Sequence, residues 1–556
     1  MTSGTTTLVF DTGVARSGPL SRGQDNIMRS LLRGAGHVAL DTVLSLPCGT
    51  DLEGVVDALR ILVERHEALR TTYLAQPGGI QTVACHGALD VGVHEVGEQP
   101  PAELIRSVSA ALWAKPFDPE KEFAVRAAVI TRQHRPTSLV LVVSHLAVDG
   151  FGFAHLTEEL RALLDGERPA GTVTHPLDVV EVEQRPQMRQ LMRASNAYWE
   201  DHLMRAPHSG FPAGVVGEHG SMQPSVVLRS SRAAEAAGSV SRRLHVSRAT
   251  VVLAAFASLV SGLTDQPGLV VSAPTANRFL PELRGYLGTL ASDALILLDV
   301  AVSDSFDGLC AQAAARAMRA YSRAWYDTAA LYDSIAETSR LRGINAYARE
   351  CLFNDVSALG GAVLPAASAD PFTDGVEPSA DAYSLSLLTL NLHQLDGVLV
   401  ASVNANPHCL PGIGPGGFAR ALEQLLVRAG ASDIDHGTMS RILPAPPVRR
   451  TGDWHYIDHG WIHLGAVRRM LAAELGRYQF EVEVVPDGAR EKRLVCHVHD
   501  RSGELSATRL HCKLVEAVHR HAAVMAPHEY VFHDGRKPLP EDDPGRRRRP
   551  VRESGR

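Results

Sequence analysis

Residues 138–150 of this 556-residue chain read SLVLVVSHLAVDG, and the fold is decided by how this stretch begins and ends. Its first part, 138–143, is an almost continuous apolar run with the length of a strand, which is typical of a strand buried on both faces. Helical spacing of apolar residues begins again at Phe153, Leu156, Leu160 and Leu163. The stretch therefore predicts a strand, a loop over 145–152 and a helix, with polar groups in a loop at the edge of a rigid scaffold.

Segments on either side of this stretch predict a similar mixture of helices and strands. Helical periodicity predicts amphipathic helices over 52–65 and 101–113, a buried helix over 249–263 and a strand over 268–273. Two apolar runs within 384–403 flank Leu395-Asp396-Gly397, a pattern that predicts a hairpin. Residues 359–381 are rich in small residues and proline, which predicts a long surface loop. The fold class that these elements indicate is α/β (α+β).

Polar and proline-containing segments divide the chain. Residues 165–185 favour a crossover between two halves, and Pro444, Pro446 and Pro447 mark a linker. After the linker, the pattern predicts a small α+β unit with helices near 464–475 and 507–522 and strands near 480–485 and 493–499. The predicted domains are an N-terminal lobe over 1–180, a second lobe over 181–445, a small unit over 450–545 and a basic, disordered tail over 546–556.

Composition argues against several classes of function. The net charge of −7 and the pI of 6.4 speak against a nucleic-acid partner, since phosphate binding usually requires a basic face. The seven cysteines are scattered without a Cys-x-x-Cys pair, which suits a reducing cytoplasm and offers no zinc framework. Neither a signal-peptide pattern nor an apolar run of about 18 residues occurs. We therefore expect a cytoplasmic protein without a membrane span or a metal.

The loop after the buried strand has a pattern with chemical meaning. A histidine in such a loop, here His145, can titrate near neutrality and reach a substrate. Asp149, four residues on, can turn away and hold the loop through a salt bridge, and Gly150 allows a backbone to approach a ligand closely. The pattern His-x-x-x-Asp-Gly arises easily by chance, so on its own it favours a structural histidine.

Further motifs follow in order, and together they resemble the condensation domains of nonribosomal peptide synthetases over roughly 15–440. The most specific match is 65–73, RHEALRTTY, and the active-site match is Ser144 to Gly150. The other matches are 20–24 (LSRGQ), Pro116-Phe117-Asp118 with Arg126, 273–278 (APTANR), 286–290 (YLGTL) and 352–355 (LFND).

This resemblance implies two lobes like chloramphenicol acetyltransferase, arranged in a V shape around a tunnel. The donor would be an acyl or aminoacyl thioester on the phosphopantetheine arm of a partner carrier protein. The acceptor would be an amine, less often an alcohol, that enters from the other mouth of the tunnel, as a small-molecule amine or on a second carrier protein. His145 would act as general base, or would orient the nucleophile and stabilise the tetrahedral intermediate. Gly150 would offer backbone near the oxyanion, and Asp149 would be structural and paired with Arg278. No permanently bound cofactor is implied, because the thioester is already activated.

The sequence departs from the family's pattern at a few positions. Ser144 stands where the family usually has the first of two adjacent histidines, a mainly structural position, and Ser292 replaces a usual asparagine. No aspartate-rich replacement of the active-site motif is present, which speaks against a heterocyclising subtype. No phosphopantetheine attachment motif occurs, so we expect a free-standing condensation enzyme without its own carrier domain.

The C-terminal segment resembles the small subdomain of adenylation enzymes. The matching stretches are 450–453 (RTGD), 460–463 (GWIH), 491–495 (EKRLV) and 527–532 (PHEYVF). The family's lysine is here Arg546, and the large core with its glycine-rich phosphate loop is absent, so we interpret 450–550 as a relic or a docking element. His455, His459 and His463 invite a metal interpretation, but Gly460 favours a hairpin in which they do not converge.

Three functions remain open from the sequence. The first is amide formation between a carrier-bound acyl group and an amine. The second is ester formation by an O-acyltransferase of the same superfamily. The third is a non-catalytic scaffold that binds carrier proteins, against which the intact residues His145, Asp149, Gly150 and Arg278 speak.

Overall fold

The computed structural model describes residues 3–34, 38–208, 210–211, 220–359, 374–443, 448, 450–476, 478–488, 491–500, 505–533 and 551–554. The fold is built from mixed sheets covered by helices, in agreement with the predicted α/β class.

The N-terminal lobe contains a five-stranded sheet and a smaller three-stranded sheet. In chain order its elements are β1 (Ser3–Asp11), β2 (Arg16–Pro19), α1 (Arg22–Leu32), β3 (Ala39–Ser45), α2 (Leu52–Arg65), β4 (Thr71–Tyr73), β5 (Ile80–Val83), β6 (His86–Glu95), α3 (Pro101–Ala114), β7 (Val125–Arg132), β8 (Arg135–Ser144) and α4 (Gly150–Leu164). The main sheet has the order β1-β6-β7-β8-β3, and the small sheet has the order β2-β5-β4.

Strand β8 is buried on both faces, as the apolar run predicts. Leu139, Leu141 and Val143 belong to the core that β8 shares with α2 and α4. Val140, on the opposite face, packs with Leu104 of α3. The strand that leads to His145 is therefore held from both sides, which fixes where the following loop begins.

Two helices connect the lobes, α5 (Pro176–Glu183) and α6 (Pro186–Leu203). The crossover predicted over 165–185 thus contains a helix. Pro176 is compatible with it because the first helical turn requires no amide donor there. Val179 and Val182 of α5 pack against Leu283 and Tyr286 of the second lobe.

The second lobe contains a seven-stranded sheet with the order β11-β10-β12-β14-β15-β9-β13. Its elements are β9 (Ser221–Ser230), α7 (Ser231–Leu244), α8 (Arg248–Thr264), β10 (Gly268–Thr275), β11 (Ser292–Asp299), α9 (Phe306–Tyr321), α10 (Thr328–Arg342), β12 (Cys351–Asp355), β13 (Gly375–Ser384), β14 (Leu388–Gln394), β15 (Leu399–Ala405), α11 (Gly414–Ala431) and α12 (His436–Ser440). Helix α8 is almost wholly buried in the core of this lobe, and the hairpin predicted around 395–397 is the β14–β15 pair.

The prediction of a surface loop over 359–381 is wrong for the last part of this range. Strand β13 occupies Gly375–Ser384 and pairs antiparallel with β9 at the edge of the sheet, with an irregular register between Ser379 and Ala382. Edge strands tolerate proline and small residues better than central strands do, so composition did not reveal this one. Residues 360–373 lie outside the described part of the chain.

The C-terminal unit contains β16 (Trp454–Ile457), β17 (Gly460–His463), α13 (Leu464–Leu475), β18 (Gln479–Asp487), β19 (Glu491–His499), α14 (Ala507–Val518), β20 (Glu529–His533) and β21 (Val551–Ser554). The predicted helices and strands are present, although α14 ends earlier than expected. The tail expected to be disordered over 546–556 includes β21, which pairs antiparallel with β20, and that part of the prediction is wrong. Residues 546–550 lie outside the described residues.

The hairpin expected around Gly460 is the β16–β17 pair. Its turn residues Asp458 and His459 both have a left-handed backbone, with φ of 52° and 66°, as a tight hairpin turn requires. Within the described residues, no group of three or more His, Cys, Asp and Glu side chains is arranged to hold a metal ion.

The C-terminal unit is joined to the second lobe by buried polar contacts. Arg342 of α10 donates from Nε to the Asp458 carboxylate at 3.0 Å and from Nη2 to the Asp458 carbonyl at 2.8 Å. Its Nη1 donates to the carbonyl of Leu203. Ile344 packs within the core of the C-terminal unit. The unit therefore shares a core and a buried ion pair with the lobe that precedes it.

Among the described helices, no single one has the length and apolar character needed to cross a membrane. Helices α7 and α8 reach the length and apolar composition of a membrane span only when they are counted together, and the chain bends by 105° between them.

Candidate active site

The active-site loop spans His145 to Asp149, between the end of β8 and the start of α4. It is shorter than the loop predicted over 145–152, because Asp149 caps the helix: its Oδ1 accepts a hydrogen bond from the Gly152 amide at 2.8 Å. At the other end, the His145 amide donates to the carbonyl of Val38 at 3.0 Å. The loop is thus fixed at both ends.

His145 is partly exposed, and its ring lies against the second lobe. Its Nδ1 is 3.3 Å from the hydroxyl oxygen of Thr289. Burial is the largest influence on the pKa of His145 and lowers it, the charge of Asp149 acts in the opposite direction, and the charge of Arg349 lowers it further. The ring is therefore neutral at neutral pH and able to accept a proton.

Asp149 is fully buried, and both of its oxygens are occupied. Arg278 donates to it from two nitrogens, at 2.9 and 2.8 Å, and the amides of Leu290 and Ala291 each donate to Oδ2 at 2.9 Å. With the Gly152 amide, five N–H groups point at this one carboxylate. Such an arrangement holds the carboxylate in one orientation against the second lobe.

Arg278 connects the two lobes. Besides Asp149, its Nη2 donates to the carbonyls of Tyr286 and Gly288, each at 3.0 Å, and the side chain is only 8% exposed. The segment 286–291, called the floor loop below, is therefore fastened to the N-terminal lobe through one arginine–aspartate pair. The structure brings together the two residues that the resemblance pairs.

Two glycines let the floor loop approach the N-terminal lobe closely. A Cβ atom on Gly152 of α4 would lie 1.6 Å from the Leu287 carbonyl oxygen, and one on Gly23 of α1 would lie 2.2 Å from the Thr289 carbonyl oxygen. No side chain fits at either distance, so the floor loop is packed between α1 and α4. The sequence motifs contain Gly23, but Gly152 was missed, because a lone glycine after the Asp-Gly pair has no signal of its own.

Gly150 is the first residue of α4, next to the capping Asp149. Among the hydrogen bonds of the described residues, none uses its amide, and a Cβ at this position would meet Leu359 only at an ordinary contact distance of 3.8 Å. The amide lies at a helix N-terminus, where N–H groups and the helix dipole favour negative charge.

Ser144 and Ser292, the two departures from the family pattern, both serve as hydrogen-bonding supports. The Ser144 hydroxyl accepts from the Leu146 amide at 3.3 Å, inside the turn that leads to His145. The Ser292 hydroxyl accepts from Asn277 at 2.6 Å and donates to the Ala324 carbonyl. Among the hydrogen bonds of the described residues, neither serine is bonded to the His145 ring.

A family model described as Condensation domain matches residues 17–343. The match covers more than half of the chain and includes the active-site loop, the floor loop and the residues that join them. The chain therefore belongs to the condensation domain family.

Curated relatives are similar over about half of the chain. Chondramide synthase of Chondromyces crocatus is 25% identical over 308 residues, which cover 50% of this chain and 8% of that protein. Isonitrile lipopeptide synthase of Mycobacterium tuberculosis is 27% identical over 346 residues, which cover 58% of this chain and 14% of that protein. The chain thus spans only a small part of the length of these relatives.

Solved structures show the same fold at low sequence identity. The starter condensation domain of rhizomide synthetase superposes with a TM-score of 0.59 and 18% identity, over 75% of this chain and 95% of that one. The X-domain from teicoplanin biosynthesis superposes with a TM-score of 0.60 and 17% identity, over 74% and 95%. These neighbours confirm the predicted fold class.

Proposed function

We propose that this protein joins an acyl or aminoacyl thioester, held on the phosphopantetheine arm of a carrier protein, to the amine of a small acceptor. The observation that carries the proposal is the His145 ring, whose lowered pKa keeps it neutral beside the floor loop. The condensation family supplies the reaction class. The carrier protein and the amine are the partners that this reaction requires.

His145 acts on the attacking amine. As the amine nitrogen bonds to the thioester carbon, the free ring nitrogen accepts the proton that the amine loses, or orients the amine so that the proton leaves later. A positioned base contributes roughly 10²–10⁴ in rate, and holding two substrates together contributes a further large factor. Collapse of the tetrahedral intermediate breaks the carbon–sulfur bond, and the departing thiolate takes up the proton, which leaves an amide and a thiol.

The oxyanion of the intermediate is stabilised at the start of α4. The Gly150 amide is a donor that Asp149 does not use, and it lies in the turn directly after the His145 loop. An amide that is already oriented needs no reorganisation when negative charge develops on the oxygen, and such donors therefore stabilise the transition state strongly. Asp149, Arg278 and Ser144 keep this geometry in place without touching the reacting atoms.

Two alternative functions can be tested with the same enzyme and the same acyl-loaded carrier proteins. An O-acyltransferase would use His145 in the same way on a hydroxyl, and a carrier-binding scaffold would not need the histidine at all. A neutral histidine beside an unused helix-terminal amide favours a catalyst over a scaffold. The C-terminal unit, held to the second lobe by Arg342 and Asp458, is proposed as a fixed docking element that does not activate acids.

The experiment is intact-mass analysis of acyl-loaded carrier proteins, incubated with the enzyme and a panel of amines and alcohols. We expect His145→Ala to fold like the wild type and to lose about 10²-fold or more of the single-turnover rate, because the positioned base is gone. Wild-type rates in His145→Ala would contradict the assignment. Products formed only with alcohols would favour ester formation.

A further inference from the structure

Arg349 has an unusual backbone conformation close to the active site. It comes just before β12 and has a φ of 50°, in the left-handed region that few residues with side chains adopt. Such conformations persist only where the surroundings hold them, and they concentrate at functional sites. No motif in the sequence singles out this residue.

One edge of the Arg349 guanidinium is held rigidly by Asp293 of β11. Nε donates to Oδ2 at 2.5 Å and Nη2 to Oδ1 at 3.0 Å. The Tyr347 hydroxyl also donates to Asp293, at 2.9 Å, and is itself 2.8 Å from the Ser272 hydroxyl. Burial alone would raise the pKa of Asp293, but the Arg349 charge and hydrogen bonds lower it overall, so the pair is ionised.

The other edge of the guanidinium is unused. Among the described residues, Nη1 has no hydrogen-bond partner, and the side chain is 27% exposed. Nη1 and the second hydrogen of Nη2 form a pair of parallel N–H donors, the geometry that matches a carboxylate. Asp293 neutralises the positive charge of Arg349 when nothing is bound at the free edge. Recognition of a ligand there would therefore depend on the direction of the two N–H donors rather than on net charge.

This edge lies next to the floor loop. Asp293, which holds Arg349, comes two residues after Ala291, and the Ala291 amide donates to Oδ2 of Asp149 in the active-site loop at 2.9 Å. The charge of Arg349 also contributes to the lowered pKa of His145. A group bound at Nη1 is therefore placed on the second-lobe side of the active site, where an acceptor whose amine lies at His145 would extend.

We propose that Arg349 recognises a carboxylate on the acceptor, so that the preferred acceptor is an amine that carries a free carboxylate, such as an amino acid. The proposal rests on the proposed function. It also implies that the acceptor arrives as a free molecule, because a carrier-bound acceptor has its carboxyl group tied up as the thioester. Arg349 is then a specificity-determining residue and His145 remains the catalytic one.

The test compares amino acids with their primary amides as acceptors, with an acyl-loaded carrier protein as donor. We expect the wild type to use the acids about 10-fold better or more in kcat/KM, as expected when a charge-assisted hydrogen bond is lost with the amide. Arg349→Gln should abolish this preference, so that the variant uses acids and amides with equal kcat/KM. If Arg349→Gln fails to fold because Asp293 is left unpaired, the double variant Arg349→Gln/Asp293→Asn removes both charges.

Equal use of acids and amides by the wild type would overturn the proposal, as would a preference that survives in a folded Arg349 variant. A second measurement separates it from the proposed function. Butyrate, but not butyramide, should raise the Tm of the wild type and not that of the variant. If no acceptor is ever acylated and butyrate still acts in this way, amide formation fails and the carboxylate site stands. If butyrate has no effect either, the site is overturned as well.

Discussion

Two interfaces meet at the second lobe, and each is held by a buried arginine–aspartate pair. At the first, the lobe interface, Arg278 of the second lobe binds Asp149 of the N-terminal lobe. At the second, the C-terminal interface, Arg342 of the second lobe binds Asp458 of the C-terminal unit. In both, the second lobe provides the arginine and its neighbour the aspartate. The C-terminal unit is therefore attached by the same kind of contact that joins the two condensation lobes.

The two interfaces differ in how much depends on the aspartate side chain. The Asp149 carboxylate is 0% exposed and receives five N–H groups, four of them from the second lobe or its floor loop. The Asp458 side chain is 12% exposed, and part of what Arg342 binds is the Asp458 backbone carbonyl. The lobe interface thus depends on one carboxylate, whereas the C-terminal interface spreads its contacts over backbone and side chain.

The largest effect is expected from Asp149→Ala. Removing one partner of a buried pair leaves an uncompensated charge and costs about 3–5 kcal/mol of unfolding free energy. Asp458→Ala, the matched variant at the C-terminal interface, should cost less, because Arg342 keeps the carbonyls of Asp458 and Leu203. Denaturant unfolding of both variants measures the difference, and single-turnover rates show whether only Asp149→Ala loses activity.

Equal destabilisation by the two variants would break the comparison, since it would make the Asp458 carboxylate as important as that of Asp149. A stable but inactive Asp149→Ala would instead give Asp149 a direct chemical role. The same reasoning applies to deletion of 450–556. Deletion exposes Arg342 and Ile344, so we expect loss of stability before loss of the His145 chemistry.

A glycine in each interface gives a second, smaller comparison. A Cβ on Gly152 would lie 1.6 Å from a backbone oxygen of the floor loop, whereas one on Gly460 would lie 2.5 Å from the His208 ring. Overpacking typically costs about 1–3 kcal/mol, and backbone gives way less readily than a side chain. Gly152→Ala should therefore lower both the Tm and kcat, and Gly460→Ala should lower the Tm only and by less. Activity loss in Gly460→Ala would mean that the C-terminal interface reaches the active site.

The sequence predicted the elements that depend on local periodicity. The helix over 52–65, the buried strand that ends at Ser144 and the hairpin at 395–397 follow from apolar spacing and turn residues, and the structure contains them. The position of His145 after a buried strand could be predicted for the same reason. Periodicity indicates which face of an element is buried, and this is sufficient to predict the element where it packs on its neighbours along the chain.

Contacts between distant segments could not be predicted in this way. Arg342 ends a helix with a typical basic last turn, and nothing in its neighbourhood indicates a partner more than a hundred residues later. Arg349 and Thr289 likewise gain their roles from residues of other elements. Edge strand β13 was missed because backbone pairing, rather than composition, holds it in the sheet.

The smallest effect is expected at Thr289, where the lobe interface meets the His145 ring. Thr289→Val preserves the shape of this fully buried side chain and removes the hydroxyl that lies 3.3 Å from His145 Nδ1. Loss of one such hydrogen bond is worth about 1 kcal/mol, or roughly fivefold in kcat, with KM little changed. Because burial holds the pKa of His145 below its ordinary value, wild-type activity should persist into mildly acidic solution and decline only below that lowered pKa. The pH–rate profile of Thr289→Val should be shifted along the pH axis relative to the wild-type profile, because the hydroxyl no longer orients the His145 ring. Thr289→Ser, which keeps a hydroxyl, should restore the wild-type profile. An unchanged profile and kcat in Thr289→Val would show that the floor loop supports the active site by packing alone.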